Sequence, residues 1–142
     1  MTMTRLELDA ARAVFRSAAF VVDLGLEVVD VGPGWCESRL VLTPRHLQHT
    51  GVAHAGVVTT LGDHSCGASA YTLAPEGVAV VTADLQVRLM RGARGPVLFC
   101  RAEVIKPGRT LSFAEARIYS EHEGQRLEVA RISTTLALVN PS

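Results

Sequence analysis

Apolar and polar residues alternate through Thr82-Ala83-Asp84-Leu85-Gln86-Val87-Arg88-Leu89, so that Ala83, Leu85, Val87 and Leu89 share one face of an extended strand. The second half of the chain repeats this extended character over 78–90, 96–105, 110–120 and 127–139. Turn signals separate the runs at Arg91-Gly92, Lys106-Pro107-Gly108 and Glu123-Gly124. Two earlier runs, 26–31 and 35–42, flank Gly32-Pro33-Gly34 and predict a hairpin, which Thr43-Pro44 ends. Period two predicts an antiparallel sheet with one buried face.

Two segments break this period. The first twenty residues interleave Glu7 and Asp9 with Arg5, Arg12 and Arg16 and set Leu6, Ala10, Ala13, Val14 and Ala18 near one face, which predicts an amphipathic helix. After an irregular polar stretch to Ala53, a second helix is expected over 54–73, about five turns long and closed by Pro75 and Gly77. Its small residues Gly56, Gly62, Gly67, Ala68, Ser69 and Ala70 keep it slender. Gly62 in a helix interior costs about 1 kcal/mol relative to Ala, and close approach of a neighbouring layer explains its presence. The strands have one large apolar partner, this helix, so the predicted class is α+β, a sheet curled around a central helix with a further N-terminal helix.

At 142 residues the chain is expected to form one domain. Fourteen basic residues balance 14 acidic ones, which argues against nucleic acid as a partner. The longest uncharged run near the N-terminus, 17–22, is too short for a signal or membrane segment, so no membrane association is expected. Cys36, Cys66 and Cys100 are odd in number, widely spaced and outside any C-x-x-C pattern, which predicts a reducing compartment, the cytoplasm, without a structural zinc. The even overall charge hides a basic stretch: between 88 and 109, Arg88, Arg91, Arg94, Arg101, Lys106 and Arg109 face only Glu103. These are either solvated strand ends or a rim for the phosphates of a small anionic ligand, which arginine's forked donors suit.

From Val57 to Leu73 the single formal charge is Asp63. An ionised carboxylate taken from water without a partner is costly, so the fold must supply donors or favour the neutral form. Either arrangement suits a base or nucleophile, although a buried structural Asp paired with His or Arg has the same signature.

The segment Gly51-Val52-Ala53-His54-Ala55-Gly56, followed by Leu61-Gly62-Asp63, resembles the Gly-x-x-His-Gly-Gly and Leu-Ala-Asp patterns of the hotdog-fold thioesterases. The likeness is to the phenylacetate-pathway branch that acts on acyl-coenzyme A. The stretch 20–34 is similar to that family's first strand, and Thr82-Ala83-Asp84-Leu85-Gln86-Val87 to the strand after the helix. The resemblance therefore covers nearly the whole chain. It implies a hotdog fold and hydrolysis of an acyl-CoA thioester. In the roles it implies, Asp63 is general base or nucleophile, the Ala55 amide polarises the carbonyl, His54 orders the turn, and Thr82 helps Asp63 hold the attacking water. Gln48 stands where relatives usually carry Asn; it is one methylene longer but still donates from its amide. Ala55 replaces the first of two glycines and keeps its N–H. Gly56 is expected beside the substrate, and Arg88, Arg91, Lys106 and Arg109 near the coenzyme A phosphates. No metal and no cofactor beyond the substrate's own coenzyme A are expected.

A thioester carbonyl needs donors at its developing oxyanion together with a carboxylate on the other side. A helix N-terminus supplies the donors. Asp63 follows Ala55 by eight residues, about 12 Å along one helix, so one acyl carbon does not contact both. A partner helix laid antiparallel resolves this, which predicts a homodimer with two shared sites and leaves a dimer of dimers open. The acyl group is expected in an apolar pocket beside the helix, near Leu61, Tyr71 or Trp35.

Other chemistries share these residue types. His46, His49, His54, Asp63 and His64 form an imidazole-rich set with metal-ligand character. Ser65, His54 and Asp63 are the residue types of a triad without the Gly-x-Ser-x-Gly turn, and Cys66 on an apolar helix is poorly reactive. Hydratases and dehydratases of acyl thioesters resemble this architecture too, and pair a His with a carboxylate as His54 and Asp63 could. A non-catalytic acyl-CoA binding module is the remaining alternative, since a fold does not establish an activity.

Overall fold

The computed structural model of the protein describes residues 4–140 except the Leu6 side chain, so the first three positions of the expected N-terminal helix lie outside the described residues. Six strands form one antiparallel sheet: β1 (Glu27–Gly32), β2 (Trp35–Val41), β3 (Ala79–Leu89), β4 (Val97–Lys106), β5 (Leu111–His122) and β6 (Gln125–Val139), in the order β1-β2-β4-β5-β6-β3. The long helix α3 (Ala55–Tyr71) packs on strands β2 to β6. This is the α+β arrangement expected, a curved sheet around a central helix.

The N-terminal region departs from a single helix. It forms α1 (Arg5–Phe15) and α2 (Ala19–Leu24), broken where the Ser17 hydroxyl donates to the Val14 carbonyl and competes with further helical bonding. Thr4 caps α1 in a reciprocal box with Glu7. Gly25, at φ +89°, ends α2 in the left-handed conformation that a glycine adopts without strain.

Alternation fixes which sheet face meets α3. Along β5, Ser112, Ala114, Ala116, Ile118 and Ser120 are buried and their neighbours point away. Leu61 of α3 shares the buried core with Leu98, Ile118, Ile132 and Leu136, each burial stabilising by roughly 1.5–3 kcal/mol. Gly62 lets the layers approach: a Cβ there would collide with Ile132 Cδ1 and lie 3.1 Å from Ile118 Cδ1. Ser65 and Ser38 share a 2.6 Å hydroxyl bond beneath the helix, and Ser65 also donates to the Leu61 carbonyl.

A β-bulge between Thr82 and Asp84 changes the face that the sequence assigns to β3. Ala83 is the extra residue, so Thr82 pairs with buried Leu136 and Leu85 with buried Thr134. Thr82 thus shares the α3 side with Leu85, Val87 and Leu89, although strict alternation would put it opposite them. β3 is an edge strand, and Val81, Leu85, Val87 and Leu89 remain exposed along it, Leu89 by 53%. Among the described residues no helix is long and apolar enough to cross a membrane.

Candidate active site

The loop before α3 is built around two histidines. His46 is buried; its Nδ1 accepts the Thr43 N–H at 2.9 Å, so Nε2 carries the proton and donates to the Leu24 carbonyl at 2.7 Å. The His46 carbonyl in turn accepts the His54 N–H at 2.8 Å. His54 then caps α3, its Nδ1 accepting the Gly56 N–H at 2.9 Å, while its carbonyl accepts from Val57 and Val58. A Cβ on Gly56 would press on His54 Nδ1 at 3.1 Å. Among the described hydrogen bonds none uses the Ala55 N–H. The first amide of α3 therefore points its hydrogen, with the positive end of the helix dipole, at whatever lies beside it.

Beside it lies a groove of about 460 Å³, lined among others by Gln48, His54, Ala55, Leu89 and Arg91. The Gln48 side-chain oxygen accepts the Thr50 N–H, which orients the amide and leaves its NH2 free to donate. Gly51, at φ +89°, closes the tight loop from Gln48 to Val52. Gln48, Ala55 and Arg91 are thus brought together, two neutral donors and a cation around one anion-friendly space.

Two turns further along α3, Asp63 is half-buried and Thr82 Oγ1 donates to its Oδ1 at 2.7 Å. The bulge at Ala83 is what turns the Thr82 hydroxyl toward the helix. Asp63 Oδ2 has no partner among the described residues. Asp63, with Thr82 bonded to it from β3, lies eight residues from Ala55 on the same helix.

The four cationic positions separate within the chain. Arg91 lines the groove at the α3 N-terminus. Arg88 projects from the opposite sheet face, in a depression with Arg117 and Arg131. Lys106 and Arg109 are exposed around the β4–β5 turn, at the end where Gly34 accepts the Val104 N–H and donates to Thr72 beyond α3. Of the three side chains expected near an acyl group, Leu61 is fully buried in the core and Trp35 stacks under the Arg101 guanidinium at 4.3 Å, whereas Tyr71 borders a cavity.

The rival constellations do not assemble. Among the described residues no three His, Cys, Asp or Glu side chains converge. Ser65 is fully buried in hydrogen bonds to Ser38 and Leu61, away from His54. Burial pushes the Cys36 thiol up to about 12 and the Cys100 thiol up to about 11, and raises Cys66 as well, so none is a ready thiolate. Within one chain His54, its Nδ1 committed to capping, does not pair with Asp63, nine residues further on.

Comparison with known proteins gives the family. The profile of the thioesterase superfamily matches residues 50–126, which include His54, Ala55, Asp63 and Thr82. A thioesterase family protein from Silicibacter pomeroyi is 33% identical, with a TM-score of 0.90 over 92% of this chain and 96% of that one. A thioesterase from Haemophilus influenzae is 26% identical, with a TM-score of 0.82 over 99% of this chain and 93% of that one. The PaaI protein from the phenylacetic acid degradation operon of E. coli shares the fold, at 18% identity and a TM-score of 0.82 over 92% and 91% of the two chains. With the slender central helix, strands β3 to β5 and the Asp63 segment inside a match that spans more than half its length, the chain belongs to the thioesterase superfamily.

Proposed function

We propose that the protein hydrolyses acyl-coenzyme A thioesters to the free acid and coenzyme A, at two sites shared between the subunits of a homodimer. One observation carries this reading: α3 holds an unpartnered amide at Ala55 and a hydrogen-bonded carboxylate at Asp63, eight residues apart. That spacing is about 12 Å along the axis. The two halves suit one carbonyl only if a second α3 runs antiparallel, with Ala55 and Gln48 of one chain facing Asp63 and Thr82 of the other. The free edge of β3 and its exposed Val81, Leu85, Val87 and Leu89 offer a surface for that partner.

In this reading the carbonyl oxygen accepts from the Ala55 N–H and the Gln48 amide, both aimed before the reaction begins. The Thr82 hydroxyl hydrogen is engaged with Asp63, so its oxygen accepts one hydrogen of a water whose other hydrogen points to Asp63 Oδ2. The water oxygen attacks the carbonyl carbon as Asp63 takes the proton. The tetrahedral intermediate collapses with cleavage of the C–S bond, and the departing coenzyme A thiolate takes the proton held by Asp63, which is ionised again for the next turnover. Direct attack by Asp63 through a mixed anhydride is the competing route, and label entering the Asp63 carboxylate during a single turnover in heavy-oxygen water would establish it. Arg91 at the groove rim suits a coenzyme A phosphate, and Arg88, Lys106 and Arg109 of either subunit extend that surface. Coenzyme A enters as part of the substrate, and the steps above use no other cofactor. Three free, buried thiols suit a reducing compartment such as the cytoplasm.

The test is release of free thiol from a panel of acyl-CoA esters by the wild type and Asp63→Asn, with the oligomeric state of both measured by light scattering. The reading expects hydrolysis by a dimer or larger assembly, falling about a hundredfold or more in the variant. Equal hydrolysis by both proteins, or an active monomer, overturns it. Tight acyl-CoA binding without hydrolysis moves the protein to a binding role.

A further inference from the structure

Beyond Asp63 the seam between α3 and β3 stays open. On the Asp63 side of the helix the next residues are Gly67 and Tyr71, at one and two further turns. On β3, Val80 precedes Thr82 by two residues on the same face. α1 lies across the gap through Val14 and Phe15. Together with His64 and Ala79 these residues line a half-open cavity of about 310 Å³. It begins about 6 Å, one helical turn, past the Asp63–Thr82 hydrogen bond.

Gly67 is what keeps the cavity open. A Cβ built there would meet nothing within 4 Å, unlike Gly62, where the sheet presses on the helix. Glycine in a helix interior is less stable than alanine, and at Gly67 no close packing accounts for it. The roof is fixed rather than loose: His64 Nε2 hydrogen bonds to the Phe15 carbonyl at 2.7 Å, and its ring meets the Phe15 ring edge-on with centroids 4.4 Å apart.

We infer that this α1-roofed cavity, with Gly67 as its open wall, is the acyl-binding pocket, and that it takes a compact apolar acyl group such as a single ring or a chain of about eight carbons. The inference rests on the proposed thioesterase reading, in which the carbonyl sits at Asp63 and the acyl tail continues along the helix. At about 30 Å³ per water-sized group, 310 Å³ holds on the order of ten heavy atoms, so the carbons of a longer chain would run out past the mouth and add no further burial.

Binding without turnover tests the pocket separately from the catalysis. S-methyl-, S-octyl- and S-dodecyl-coenzyme A, thioethers that cannot be hydrolysed, are titrated calorimetrically into the wild type, Gly67→Ala and Gly67→Leu. The wild type is expected to bind the octyl compound at least tenfold more tightly than the methyl compound and to gain nothing further from dodecyl. The octyl-to-methyl ratio is expected to fall in Gly67→Ala and to drop tenfold or more in Gly67→Leu. Circular dichroism and thermal melts check that both variants fold, and Gly67→Ala alone decides the matter if Gly67→Leu does not. A ratio unchanged by the Gly67 substitutions, or dodecyl binding that keeps tightening with length, overturns the inference. Absence of thiol release from every acyl-CoA overturns the hydrolytic reading alone, since the thioether ratios are read without turnover.

Discussion

Thr82 Oγ1 donates to Asp63 Oδ1 at 2.7 Å across the boundary between β3 and α3, and the bulge at Ala83 makes that contact possible. Without the extra residue, Thr82 would face away from the helix and Asp63 would lose its donor. Hydrogen bonds to charged groups contribute about 1.5–3 kcal/mol, which corresponds to roughly ten- to a hundredfold in rate if the bond orients the carboxylate throughout the reaction. Thr82→Val keeps the shape and removes the hydroxyl. Its kcat for acyl-CoA hydrolysis is expected to fall by about that factor with little change in KM, measured by steady-state thiol release. A kcat equal to that of the wild type would place Thr82 outside the mechanism.

Two glycines of α3 are expected to respond to alanine with opposite signs. At Gly62 the new methyl collides with Ile132, and overpacking of this kind costs about 1–3 kcal/mol, more than the roughly 1 kcal/mol that helix propensity returns. At Gly67 the methyl meets nothing, and propensity acts alone. At roughly 3 °C per kcal/mol for a chain of this size, Gly62→Ala lowers Tm by a few degrees and Gly67→Ala raises it by about as much. Calorimetric melts of the pair decide this, and a shared sign would contradict the packing described for one of them.

His64 makes stability depend on pH. Burial holds it below the usual histidine range, outweighing the raising effects of its bond to the Phe15 carbonyl and of the nearby Asp63 charge. The unfolded chain therefore takes up a proton near the ordinary value of about 6.5 that the folded chain refuses. Stability is full above that pH and is lost as pH falls below it, levelling only once the folded state also protonates. His64→Gln removes this term. The Tm difference between wild type and variant is expected to move in the variant's favour from pH 7.5 to pH 5, about one unit above and about one and a half units below the reference value, and a difference constant with pH refutes it.

The fold was legible because period two is strong where one sheet face is buried and because turn residues bracket every strand. The predicted 110–120 and the observed Leu111–His122 agree to within two residues. The site was legible as a set of residues, since Asp63 is the single charge on an apolar helix. Three features were not. The bulge at Ala83 inserts a residue that no hydrophobic pattern marks, so strict alternation assigned Thr82 and Leu85 to opposite faces while the resemblance required Thr82 to meet Asp63. The break between α1 and α2 rests on a local hydroxyl bond at Ser17, in a stretch whose apolar residues continue a helical pattern. The cavity under α1 was also hidden, because Gly67 reads in sequence as one more small residue of a slender helix.

Ala55 permits an unusually direct test of a backbone amide. It is the first residue of α3, where proline is favoured because its missing N–H would lack a helical partner anyway. His54, at φ −61° and ψ 139°, already has the extended conformation required of a residue before proline. Ala55→Pro should therefore leave the helix and its His54 cap in place while deleting the one hydrogen proposed to meet the oxyanion. Loss of a single such donor costs about a hundred- to a thousandfold in kcat. The expected result is a Tm near that of the wild type and a kcat reduced by that factor, with Ala55→Gly, which retains the N–H, active. Because the proposed site joins Ala55 of one chain to Asp63 of the other, mixing Ala55→Pro with Asp63→Asn subunits adds a sharper outcome. Each heterodimer then carries one doubly damaged site and one site with both groups intact, so about half of wild-type activity per dimer returns (the one-in-two statistics of an isologous pair). Failure to recover activity in heterodimers confirmed by mass spectrometry would mean that both groups serve their carbonyl from the same chain.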